Sequence, residues 1–486
     1  MSTTNLQQKV VKSGFWAFAL RVVQRIFNLV RLIILARILS PHDFGLMGIA
    51  LLIMGMLETF SQTGFHAALI QRRERIEPYL NSAWTFLIVR GLMLFTILYL
   101  IAPYASSFFN SPEAEPIIRV MGLAILLRSF TNIGVIYYQK ELEFNKVFAL
   151  SFTSVLADFT VAVSAALILQ NVWALVYGYI AGNLVMCVMS YIIHPYRPRL
   201  DFDVTKAKEL FGFGRWILGS SILTFLITQG DSAFVGKLLG ATALGFYQMA
   251  YRISNLPTTE ISHVISWVTF PAYSKLQDNI EKLRQAYLRV LQVTTFITFP
   301  LAGLILVLAP EFTRLFLGEK WMPMVPAMQV LVIFGLVRSI GATTGPLLQG
   351  IGRPDIITKI QFIRLIITFI LIYPLTVNWN IVGTSVAVTL SILTTDIGFI
   401  YPFIIIKIIR MRVNEFIKNM IHLIIGSLTM STFLVIFKFI YKIYISYIWF
   451  VVLVIISTLL YFGITLINKD LRRDILNIIK VLSKCN

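Results

Sequence analysis

Runs of about twenty mostly apolar residues recur along almost the whole chain, and no other sequence feature limits the fold as tightly. A helix of that length crosses about 30 Å of hydrocarbon. About fourteen such runs are read in the 486 residues, near 13–39, 44–64, 82–102, 116–137, 147–169, 172–193, 213–236, 243–271, 288–309, 324–348, 357–376, 381–406, 416–437 and 445–467. A soluble chain could not gather that much apolar surface into one core. Hydrophobic residues make up 57% of the chain and charged residues 13%, against about 25% charged in soluble domains. The sequence therefore predicts an all-α polytopic membrane protein. Ser40-Pro41, Ala102-Pro103, His194-Pro195 and Ala309-Pro310 bracket several runs as helix stops. The first run is too long and too rich in arginine to read as a signal peptide.

The formal charge of +19 would suggest nucleic acid on a soluble chain. Here it reads as topology. With a cytoplasmic N-terminus and alternating spans, twenty-seven lysines and arginines fall on the cytoplasmic side and five on the other. This is the asymmetry of the positive-inside rule, so both termini are expected in the cytoplasm and no nucleic-acid partner is expected. Two cysteines, Cys187 and Cys485, form no disulfide framework and no metal cluster. The five histidines are scattered, and each reads as structural. A phosphate-cradling glycine loop with lysine is absent from the sequence, and the loops are too short for the folded site of a glycan polymerase. No enzymatic activity, metal or cofactor is expected.

The chain reads as a duplication. A shift of 200 residues aligns Gly14 with Gly214, Trp16 with Trp216, Leu39 with Leu239, Gly45 with Gly245 and Ala50 with Ala250, and sets Arg37 against Lys237. A shift of 210 aligns Arg128-Ser129 with Arg338-Ser339 and Gln139 with Gln349. Six spans per half is an even number, so the repeat is parallel, about an axis along the membrane normal. The expected organisation is a six-helix lobe over 1–204, a second over 205–410, and a terminal helix pair with a tail over 411–486.

Ten arginines lie within the expected spans: 21, 25, 31, 37, 90, 119, 128, 215, 252 and 338. Arg21, Gln24, Arg25, Asn28 and Arg31 share one sector of the first span, about 120° wide. An arginine at mid-bilayer costs about 2.5–3.5 kcal/mol on insertion scales, so this stripe cannot face lipid. Two readings stay open. The stripe either pairs with Asp158, Asp231 or Glu58, or forms a cationic pocket for an anion, a role suited to the planar, always-charged guanidinium fork. Arg128 and Arg338 are further candidates for such a pocket. Asp158, Asp231 and Asp396 are candidates either for ion pairing or for coupling to H+ or Na+. Asp396 could also sit in a hydroxyl cluster with Thr394 and Thr395.

Three stretches carry a family resemblance. Residues 36–45, ARILSPHDFG, resemble the R-x-L-x-P-x-x-F-G signature that ends the first span of bacterial polysaccharide exporters. Residues 231–251, DSAFVGKLLGATALGFYQMAY, resemble their seventh-to-eighth span turn, and 139–144, QKELEF, are similar to the motif after span four. Over about residues 10–410 the chain resembles the oligosaccharide flippases of the Wzx, colanic-acid or teichuronic-acid exporter type. Their superfamily also holds MATE exporters and lipid II flippases. The resemblance implies a MATE-like bundle of two lobes around a central cavity in the bacterial inner membrane. It implies an undecaprenyl-pyrophosphate-linked oligosaccharide as cargo, moved by alternating access, with Arg21, Arg25 and Arg31 on the cationic wall. A polysaccharide polymerase and chain-length proteins would be its protein partners. The runners-up are a MATE-like ion-coupled exporter of small molecules and a membrane glycan polymerase.

Overall fold

A computed structural model describes residues 3–62, 64–71, 76–201, 203–256, 269–410, 413–441 and 446–467, and these are mostly helical, with no strand among them. The chain divides into two compact units, Met1–Gly245 and Phe246–Asn486. Unit 1 holds α1 (Thr3–Ile38), α2 (Pro41–Phe60), the short α3 (Phe65–Gln71), α4 (Glu77–Phe108), α5 (Ala114–Ser129), the short α6 (Ile136–Lys140), α7 (Phe144–Leu169), α8 (Trp173–Ile193) and most of α9 (Val204–Ser254). Unit 2 holds α10 (Ile280–Phe312), α11 (Val325–Gly350), α12 (Pro354–Ile392), a π-helical stretch Leu393–Ile400, α13 (Val413–Tyr441) and α14 (Tyr447–Thr465).

Ten helices among the described residues are long and apolar enough to span a membrane, or eleven if the bent pair Ala114–Ser129 and Ile133–Lys140 is one span. The chain is a multi-pass membrane protein, and the expected count of fourteen is not confirmed. Two long helices account for part of the difference, because each takes in one whole expected run and part of the next around a break. Gly240 interrupts α9 with φ +80° and ψ −178°, a conformation open only to glycine. Trp379 and Asn380 interrupt α12, with Asn380 at φ +51°. The arginine-bearing α1 is a continuous helix of 36 residues, but it is not among the ten.

Packing follows small residues. On α8, Gly178 and Gly182 form a Gly-x-x-x-Gly face that lets α7 approach closely. A Cβ at Gly178 would come within 2.9 Å of Asp158 Oδ1, and one at Gly182 within 3.2 Å of the Ser154 carbonyl. In unit 2, α13 packs on both α10 and α14, with Leu308, Leu434 and Leu453 buried between them.

The stretch 40–45 shows what its motif does locally. Ser40 caps α2 by accepting from the Asp43 N–H, Asp43 returns the bond to the Ser40 N–H at 2.9 Å, and Pro41 fills the first turn, where no N–H is needed. Gly45 then lies directly against the Ala241 carbonyl, and Gly245 against the Pro41 carbonyl. His42 Nδ1 meets Thr242 Oγ1 at 3.2 Å. Residues 41, 42 and 45 thus touch residues 241, 242 and 245 reciprocally, as the two copies do in an isologous contact. The 200-residue register read from the sequence pairs these same positions.

Candidate functional site

The arginines are sorted by what each one touches. Arg31, four-fifths of the way along α1, donates from Nη2 to Asp158 Oδ1 on α7 at 2.9 Å, with side chains 18% and 20% exposed. The glycine face of α8 holds α7 in place, so the sequence positions Asp158 through packing. Only part of the Arg31 fork is used, because its Nε is buried and has no hydrogen-bond partner among the described residues. Arg25 lies one and a half turns earlier on the same helix and is partly buried. The side chain of Arg21 lies outside the described residues.

Arg128 on α5 grips both carboxylate oxygens of Glu58 on α2, at 3.0 and 3.1 Å, and also donates to the Tyr179 hydroxyl at 2.5 Å and to Asn183 Oδ1 at 3.1 Å. Arg90 on α4 closes the C-terminus of α2 by donating to the carbonyls of Ser61 and Glu58, each at 2.8 Å, which satisfies orphan helix-end acceptors. Arg119 pairs with Glu115 one turn away at 2.8 Å. Of the three acids considered for the stripe, Asp158 is the one that meets Arg31. Glu58 serves Arg128 instead. Asp231 is buried in α9, where its carboxylate accepts the Ser232 N–H at 2.7 Å.

Unit 2 carries a separate charged cavity of about 290 Å³ between α11, α12 and the π-helical stretch, with Arg338, Gln361, Arg364, Thr344 and Asp396 on its wall. Asp396 is 4% exposed and pairs with Arg364, which also donates to Thr395 Oγ1 at 3.1 Å. The hydroxyl neighbour expected of Asp396 is therefore present, together with Arg364, which is not one of the ten arginines expected within the spans. Arg364 lies about 15 Å along α12 from Pro354 at 1.5 Å per residue. Its signal was Arg364 falling ten residues after Pro354, inside the run 357–376. Arg338 donates to the Tyr251 hydroxyl at 3.2 Å. The structure thus brings together Arg31 with Asp158, and Arg338 with Asp396, in two different units. Among the described residues there is no group of three or more His, Cys, Asp and Glu side chains that could hold a metal.

Comparisons with known proteins place the chain in a family. Residues 34–326 match the family model described as "Polysaccharide biosynthesis protein". The chain is 30% identical to lipopolysaccharide biosynthesis protein WzxC of Escherichia coli (strain K12), over 81% of this chain and 80% of that one. It is 27% identical to succinoglycan biosynthesis transport protein ExoT of Rhizobium meliloti (strain 1021), over 69% and 68%. Among solved structures, the lipid II flippase MurJ in an inward closed conformation superposes with a TM-score of 0.73 and 15% identity, over 96% of this chain and 100% of that one. At that identity the likeness establishes a shared fold. With its helical membrane fold and a model match over more than half its length, the chain belongs to the polysaccharide biosynthesis protein family.

Proposed function

We propose that the protein is a flippase that carries undecaprenyl-pyrophosphate-linked oligosaccharide units across the bacterial inner membrane for surface polysaccharide synthesis. The observation that carries this reading is the half-used guanidinium of Arg31, a fixed cation packed against the membrane-spanning α7, its buried Nε without a hydrogen-bond partner among the described residues. Arginine donates in parallel pairs to phosphate oxygens and keeps its charge at all working pH values. A diphosphate arriving beside Arg31 meets a donor already stripped of water. Arg25, on the same helix, would supply the second cation.

The relatives favour transport, since ExoT is named as a transport protein. Both termini lie in the cytoplasm on this reading, as the distribution of lysine and arginine supports. Cargo moves from the cytoplasmic to the periplasmic leaflet by alternating access, and no covalent bond is made or broken. The diphosphate competes with Asp158 for Arg31, and a displaced Asp158 is a group able to take up H+ or Na+, which would couple cargo movement to an ion gradient. A polymerase and chain-length proteins would act on the exported unit.

The test is the position of the stalled intermediate. Cells lacking the protein should accumulate lipid-linked repeat units on the cytoplasmic leaflet. Single units already exported but unpolymerised would refute the flippase reading and favour a polymerase.

A further inference from the structure

The unit 2 cavity has a charge imbalance. Two guanidiniums and one carboxylate line it, and the carboxylate is already committed: Asp396 holds Arg364, with Thr395 accepting from the same arginine. Among the described residues Arg338 has no ion pair, and the hydrogen bond it makes is to the neutral Tyr251 hydroxyl at 3.2 Å. One guanidinium charge therefore faces the open space of the cavity without a counter-charge. Inside a membrane helix such a charge is costly and is found where it faces a cavity or a ligand path.

The shape is built by the same helices. A Cβ at Gly341 would sit 3.2 Å from Asp396 Oδ2, so the absence of a side chain there lets α11 lie against the acid. At Gly345, one turn on, a Cβ would meet nothing within 4 Å, and this leaves the wall of the cavity open beside Thr344. Gln361 adds an amide that both donates and accepts. A volume of about 290 Å³ falls at the lower end of small-molecule sites, enough for a single ring-sized group but not for an oligosaccharide.

We propose that this cavity is an oxyanion subsite that receives a carboxylate or phosphate substituent on the sugar portion of the cargo, with Arg338 as its binding cation. Thr344 and Gln361 would meet ring hydroxyls. Arg364 is a positioning residue: by holding Asp396 it keeps that carboxylate from neutralising Arg338. The subsite would make the protein select acidic over neutral glycans. It rests on the flippase reading for the identity of the cargo, but its chemistry is testable without transport.

The experiment uses the full-length protein in nanodiscs of zwitterionic lipid, with glucuronate, glucose and geranyl diphosphate as probes in separate titrations. Glucuronate should bind at least tenfold more tightly than glucose. Arg338→Gln should weaken glucuronate at least tenfold and leave geranyl diphosphate unchanged, whereas Arg31→Gln should do the reverse. If Arg338→Gln is not recovered as monodisperse protein, Arg338→Lys takes its place. Lysine keeps the charge but loses the paired donors, and a several-fold loss of glucuronate affinity is expected. Unchanged glucuronate binding in the recovered variant overturns the proposal. An equal loss of both anions overturns it too, because the cavity would then belong to the carrier diphosphate. So does displacement of glucuronate when anionic lipid replaces zwitterionic lipid, which would make it a headgroup site. Glucuronate binding through Arg338 with no geranyl diphosphate binding at all would uphold the subsite while counting against the flippase reading.

Discussion

The pair formed by Arg31 and Asp158 separates a binding arginine from a scaffolding one. Two unit charges about 4 Å apart at an effective dielectric near 20 attract by about 4 kcal/mol. Removing one member of a buried pair costs about 3–5 kcal/mol, because the survivor keeps its charge without that counter-charge. Both side chains here are about one-fifth exposed, so the loss for Asp158→Asn should fall at the low end, about 3 kcal/mol. Arg31→Gln should cost a similar amount. The double variant removes both charges of this pair and should return to within about 1 kcal/mol of the wild type. Unfolding of the purified protein in detergent reads these values, and glycan export in cells reads the other half of the argument. If Arg31 also binds the diphosphate, the double variant regains stability but not export, and Asp158→Asn alone binds geranyl diphosphate more tightly because the competitor is gone. A double variant with wild-type export would refute the binding role and leave Arg31 as scaffold. A stability loss below about 0.5 kcal/mol for Asp158→Asn would refute the buried pair itself.

Two further outcomes follow from local geometry. Gly45→Ala and Gly245→Ala each drive a Cβ into a backbone carbonyl, of Ala241 and Pro41 respectively. Each should destabilise the protein by about 1–3 kcal/mol, whereas Gly463→Ala, which meets nothing within 4 Å, should leave the unfolding midpoint unchanged. His194, just past the end of α8, accepts the Tyr196 N–H on Nδ1 at 3.1 Å and stacks on Tyr137. Burial first, then Lys146 and Arg197, push its pKa down, against smaller upward contributions from Glu141 and Glu143. The fold thus favours neutral His194, and the stability this contributes is present above the ordinary histidine pKa of about 6.5 and is lost as pH falls below it. His194→Gln should flatten the fall in unfolding temperature between pH 7.5 and 5.5, and an unchanged slope would show that His194 does not report this pH range.

The sequence by itself determined the class of solvent and much of the fold. Apolar run length and the placement of lysine and arginine are properties of short windows, and they suffice to specify an all-helical chain within lipid. Glycines 45 and 245, aligned by the 200-residue shift, both lie where two backbones touch, against the carbonyls of Ala241 and Pro41. The arginine stripe of α1 was visible from helical periodicity alone. Its electrostatic state was not. Asp158 lies 127 residues from Arg31, Glu58 lies 70 from Arg128, and Arg364 reaches Asp396 across 32. Asp158, Asp231 and Glu58 were equivalent partners for Arg31 until the glycine face of α8 fixed where α7 lies. Which buried charge is neutralised, and which one still faces open space, depends on side chains that only tertiary packing brings within 3–4 Å.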